Sequence, residues 1–113
     1  MARLVALIPD LLFGSRVQGA LSGAGHEVRL VADPSRLDGQ LADADALIVD
    51  LNADGVDPAG VASLAGELGL LGFYAHVQPE VRERALAAGF DVVVPRSRMA
   101  RETAQLIDGL LSR

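Results

Sequence analysis

Cysteine is absent from this 113-residue chain, which excludes a disulfide framework, thiolate metal sites and a cysteine nucleophile. Lysine is absent too, so all ten basic residues are arginines. No apolar run approaches the roughly 20 residues of a membrane-spanning helix. Met1–Asp10 has the pattern of a strand, not the charged, apolar and small-residue layout of a signal peptide. The expectation is a soluble cytoplasmic protein with no membrane partner.

What is present describes one globular domain over residues 1–113: half the residues are hydrophobic and 22% are charged. Fifteen acids give a net charge of −5, unevenly spread. Pro95–Arg113 holds four arginines and two acids, whereas residues 1–94 hold six arginines and thirteen acids. An acidic body makes nucleic acid a poor partner, while the small basic tail suits an acidic protein surface.

Short apolar runs recur at Leu4–Ile8, Val28–Ala32, Ala46–Val49, Leu70–Ala75 and Phe90–Val94. They do not alternate with polar residues, as expected of strands buried on both faces of a parallel sheet. Between them, Val17, Leu21 and Ala24, then Leu37 and Leu41, then Val61, Leu64, Ala65 and Leu68, then Val81, Ala85 and Ala88 repeat at helical spacing. Asp33-Pro34 and Asp57-Pro58 read as a capping acid before a first-turn proline, and Gln78-Pro79 as a weaker version of the same signal. Gly25 and Gly89 stand where helices stop, and Ser97 reads as the cap of a last helix reaching Leu111. Five strand–helix units with right-handed crossovers predict a three-layer flavodoxin-like (βα)5 fold with strand order 2-1-3-4-5.

Ligands of such sheets lie at the carboxyl ends of the strands. Asp50 ends the central apolar run, where a carboxylate suits either attack on phosphate or ligation of a hard cation. Asp10, past the first strand, is the candidate second carboxylate for Mg²⁺. Against this stands the plainer reading of both acids as solvated loop residues or local caps.

The order and spacing of these residues resemble the receiver domains of response regulators, over essentially the whole chain. Asp50 in Leu47-Ile48-Val49-Asp50-Leu51 matches the family's phosphoacceptor, and Asn52 the position whose backbone carbonyl helps hold the metal. Leu86-Ala87-Ala88-Gly89-Phe90-Asp91 resembles the family's run into the fifth strand. The resemblance implies a signalling module that associates with other proteins.

Its departures imply a degenerate member. The adjacent acid pair after the first strand is Pro9-Asp10, so one carboxylate is gone. The Ser/Thr after the fourth strand is Tyr74, whose ring would fill space needed by a phosphoryl group. The Lys-Pro pair after the fifth strand is Arg96-Ser97, which keeps the charge but not the compact ammonium or the proline. Val93 takes the place of the switch aromatic, and Asn52-Ala53-Asp54-Gly55 replaces the Met-Pro element. Asp50 paired with Arg96 is therefore expected in place of catalysis. Mg²⁺ held by Asp10 and Asp50 is the weaker expectation, and no other cofactor is expected.

A small nucleotide- or NAD(P)-binding Rossmann-like protein is the alternative, because Asp33 follows the second strand where an acid meets a ribose hydroxyl. The first loop, Ile8-Pro9-Asp10-Leu11-Leu12-Phe13-Gly14, carries one glycine where the phosphate fingerprint has three. His76 is a candidate for the same rim but reads more plainly as a loop residue. His26 reads as a surface residue and Met99 as core. In the last helix, Met99, Thr103, Leu106 and Leu110 form one apolar ladder, and Ala100, Ala104, Ile107 and Leu111 a second. The second ladder reads either as a broadly buried face or as a surface for a homodimer or protein partner. The whole predicts a non-enzymatic, receiver-like module with impaired phosphorylation at Asp50.

Overall fold

A computed structural model describes residues 1–75 and 79–113. The chain runs β1 (Arg3–Leu7), α1 (Leu11–Gly23), β2 (Glu27–Val31), two 3-10 turns (Pro34–Arg36 and Asp38–Gln40), β3 (Ala46–Asp50), α2 (Pro58–Ala65) and β4 (Gly69–Tyr74). It continues through α3 (Pro79–Ala88), β5 (Val92–Pro95), α4 (Arg96–Arg101) and α5 (Thr103–Leu111). All pairings are parallel and the order is β2-β1-β3-β4-β5, as the sequence predicts.

Strand alternation divides the interior into two cores. Leu4, Ala6, Ala46, Ile48, Leu71, Phe73 and Val94 face α1, α4 and α5, meeting Phe13, Val17, Leu21, Met99 and Ile107. Val5, Leu7, Leu47, Val49, Leu70 and Val93 face the other way, onto Leu37, Leu41, Val61, Ala65 and Ala85. Every residue of β3 is buried, so the central strand is the continuous apolar run its position demands. The edge strand β2 differs from that expectation. Glu27 and Arg29 are exposed and alternate with half-buried Val28 and Leu30, because the latter pair lies on the face that packs against the α1-side core. Gln18 donates its side-chain amide to the Val28 carbonyl at 3.0 Å, satisfying part of that edge.

Polar side chains tie the amino ends of the strands together. Asp45 accepts the Arg3 N–H at 2.8 Å, and Asp91 accepts the Leu70 N–H at 2.9 Å. Nδ1 of His26 accepts the Ala2 N–H at 3.1 Å. His26 is thus a correction to the surface reading: its side chain is only 10% exposed, because it closes the start of the β1–β2 pair.

Other local expectations divide. Gly25 and Gly89 adopt φ of 94° and 109°, the left-handed region that ends helices at little cost only for glycine. Asp33 caps the turn after it, accepting the Ser35 N–H at 3.0 Å. The segment between β2 and β3 forms only 3-10 turns, not a helix, although Leu37 and Leu41 still reach the core. Asp57 precedes α2 without a side-chain cap bond. Ser97 caps nothing, since α4 begins one residue earlier, directly after Pro95. Gln78 lies outside the described residues.

The last helix is also two helices. Glu102, at φ −122° and ψ 32°, leaves the helical region and separates α4 from α5. The buried face nevertheless runs on through Met99, Thr103, Ile107 and Leu110 at helical spacing. Ile107, placed by the sequence on the second ladder, is fully buried beside Met99 and Leu110. Ala100 and Leu111 pack half-buried against the same core, and Ala104 is half-buried. Among the described residues, no helix is long and apolar enough to cross a membrane.

Candidate functional site

The carboxyl ends of β1, β3, β4 and β5 bring Asp10, Asp50, Asn52, Tyr74 and Arg96 to one rim. Asp50 is the register partner of Phe73 and is buried at 9% exposure. Its Oδ1 accepts the Asn52 N–H at 3.0 Å. Burial pushes its carboxyl above the ordinary carboxylate value; the Asn52 N–H and the charge of Arg96 pull it down, and Asp10 adds to the rise.

Asp10 is placed by α1. Its Oδ1 accepts the Phe13 N–H at 3.1 Å, the side-chain bond of an N-cap three residues ahead of its donor. Its Oδ2 accepts from Arg96 Nη2 at 2.8 Å. The Arg96 bond, with the Phe13 N–H, holds Asp10 below its usual carboxylate value. Each oxygen of Asp10 therefore accepts one hydrogen bond.

This overturns the expected pairing of Asp50 with Arg96. The guanidinium bonds Asp10 instead and lies over the Phe13 ring, 4.2 Å from its centroid. Phe13 in turn packs against Phe73, with centroids 5.0 Å apart and planes at 53°. The physical reason is the capping turn: it fixes Asp10 and Phe13 side by side, offering one arginine a carboxylate and an aromatic face together. Sequence reading missed Phe13, though the three-residue step from Asp10 was the signal that pointed to it.

Asn52 works through its side chain. Its Oδ1 accepts the Ala75 N–H at 2.6 Å and fastens the loop after β3 to the end of β4. Tyr74 pairs in register with Pro95 and is half-buried against the α2/α3-side core, the core that also contains Val93. His76 lies outside the described residues. Among those described, no three acidic or histidine side chains cluster as a metal site.

No family model matches the chain, and no curated protein matches it. Solved structures do. A structure described as a response regulator from Chloroflexus aurantiacus J-10-fl superposes with a TM-score of 0.87 at 22% identity, covering 99% of this chain and 98% of that one. The non-phosphorylated HemR receiver domain of Leptospira biflexa gives 0.86 at 15% identity, covering 100% and 96%. The chemotaxis response regulator CheY4 of Vibrio cholerae gives 0.82 at 20% identity, covering 98% and 99%. The chain has the receiver fold. At these identities the likeness extends to the path of the backbone, and the chemistry of the rim rests on this chain's own residues.

Proposed function

We propose that this chain is a receiver-like signalling module that acts through contact with another protein, has no catalytic activity of its own, and has impaired phosphorylation at Asp50. The observation that carries the reading is the engagement of Asp10. Receiver chemistry needs a divalent cation beside the phosphoacceptor, and Mg²⁺ relies on a few carboxylates with near-octahedral access. Here one oxygen of Asp10 caps α1 and the other binds a guanidinium, while Pro9 supplies no carboxylate. Asp50, half-committed to Asn52, is the one acid left at the strand ends of β1 and β3. This donor set does not fit Mg²⁺.

The nucleotide or NAD(P) alternative is disfavoured by the same residues. A pyrophosphate needs an open helix N-terminus and a glycine-rich approach. The N-terminus of α1 is already capped by the Asp10 carboxylate, and Gly14 lies inside the helix against Leu30. Asp33 Oδ1 accepts both the N–H and the hydroxyl of Ser35, so this acid serves as a local turn cap.

The test is incubation of the protein with Mg²⁺ and a small phosphodonor, or with beryllofluoride, followed by intact mass and NMR measurement. No stoichiometric change at Asp50 is expected. Ready modification there overturns the impaired-site reading. Saturable thermal stabilisation by nucleotides or NAD(P) would favour the alternative instead.

A further inference from the structure

The rim retains a positive charge, and it is covalently part of the chain. We infer that Arg96 is a built-in counter-cation that takes the electrostatic place of a divalent ion at this rim and thereby keeps such ions out. This rests on the receiver-like reading of the rim above and adds what governs its cation selectivity.

Two contacts hold the guanidinium. Nη2 donates to Asp10 Oδ2 at 2.8 Å, the distance of a charge-assisted bond. The Phe13 face lies 4.2 Å below the guanidinium carbon. Phe13 is backed by Phe73, which is 1% exposed and is the register partner of Asp50. The arginine is thus set on a rigid aromatic step anchored in the sheet, with its side chain only 35% exposed.

The backbone contributes as well. Pro95, at φ −64°, closes β5 and starts α4 in one residue, so Arg96 emerges at the strand end with little slack. A planar guanidinium is suited to this double engagement, with an edge on a carboxylate and a face on a ring, whereas an ammonium offers no such plane. A divalent ion entering the rim must displace that edge from Asp10 and then sit beside a fixed like charge. With both Asp10 and Asp50 within its field, Arg96 supplies the countercharge without any ion. A state held by this contact does not respond to the supply of magnesium.

The probe is Mn²⁺ alone, read by paramagnetic broadening of backbone amides in the full chain. Wild type should show no selective broadening around Asp10–Phe13 and Asp50–Asn52 at millimolar ion. Arg96→Gln, which keeps a hydrogen-bond donor but removes the charge, should bind Mn²⁺ there at least about tenfold more tightly, because a like charge is lost and Asp10 is released. Adding Asp10→Asn to that variant should abolish the gain. Arg98→Gln, on the same helix but paired with Glu102 at 3.4 Å, should behave as wild type. Equal selective broadening in wild type and Arg96→Gln overturns the inference. So does a folded Arg96→Gln protein, judged by a dispersed spectrum, that shows none at these residues. The phosphodonor assay is separate: modification of wild-type Asp50 sinks the impaired-site reading whatever Mn²⁺ does in the variants.

Discussion

Asp10 and Asp50 follow neighbouring strands and have opposite electrostatic fates. Asp10 is stabilised as an anion by Arg96 and by the Phe13 N–H, whereas Asp50 is penalised as an anion by burial. The first is a cap with a cation on it; the second is a carboxylate held in a poorly solvated place by the register of β3.

Their contributions to stability therefore run in opposite directions with pH. Asp50 has a folded value above its unfolded one, so its ionisation weakens the native state at neutral pH; the deficit shrinks as pH falls from the raised value and is gone below the ordinary 3.8. Asp50→Asn should raise Tm at pH 7. That gain should shrink in acid. Asp10 has a lowered value, so its support is complete above the ordinary 3.8 and is lost as pH falls below it. Asp10→Asn should lower Tm at pH 7, with the difference closing below that point. Thermal melts of the two variants between pH 3 and 7 should give difference curves of opposite sign; curves of the same sign would contradict this account.

The joint between α4 and α5 depends on one hydroxyl. Thr103 is 5% exposed, and its Oγ1 donates to the Met99 carbonyl at 2.6 Å across the break at Glu102. Thr103→Val keeps the shape and removes the bond, at an expected cost of about 1–2 kcal/mol. Thr103→Ser should retain much of it. Urea denaturation of both variants separates the hydroxyl from the methyl, and equal losses would assign the effect to packing.

The sheet was legible because its evidence is local. Ala46–Val49 is apolar at every position, and Gly25 and Gly89 mark turns that disfavour side chains with a Cβ. The candidate rim was legible as a set of strand-end residues, since five parallel strands carry Asp10, Asp50 and Arg96 to one end wherever their side chains point. Which acid Arg96 chooses was not legible. It depends on the capping turn of α1 placing Phe13 beside Asp10, a contact across 86 positions of sequence separation. The burial of Ile107 was hidden because two narrow ladders were drawn where one wide stripe runs: Ile107 lies four residues after Thr103 and three before Leu110, so it shares their buried face. His26 in turn reaches the Ala2 N–H only once β1 and β2 have paired.

The burial of Ile107 decides how an interface on α5 can be examined. Ile107 is fully buried, so Ile107→Ala should cost about 2–5 kcal/mol, and Ile107→Glu should fail to fold. Leu111, half-buried near the end of α5, should accept Leu111→Glu for less than about 1 kcal/mol. Only the Leu111 variant can therefore report on association, by light scattering across a concentration series. A folded Ile107→Glu protein would show that α5 is not anchored as described.

Gly72 is the most closely approached glycine of the sheet. A Cβ built on it would stand 2.7 Å from Leu51 Cδ1, 3.0 Å from Leu51 Cγ and 3.1 Å from a Phe90 ring carbon. Both neighbours are buried, at 7% and 4% exposure, and Leu51 follows Asp50 directly in the chain. Relief must come from moving Leu51, whose own N–H is bonded to the Phe73 carbonyl at 2.9 Å. Gly72→Ala should therefore cost about 1–3 kcal/mol through overpacking. Gly69→Ala should cost less, because its nearest neighbour is the Leu110 side chain at 3.0 Å, near the end of α5. Denaturant midpoints with an unchanged slope give both values directly. Should Gly72→Ala prove as stable as wild type, Leu51 must repack freely, and the base of the Asp50 rim is softer than its burial implies.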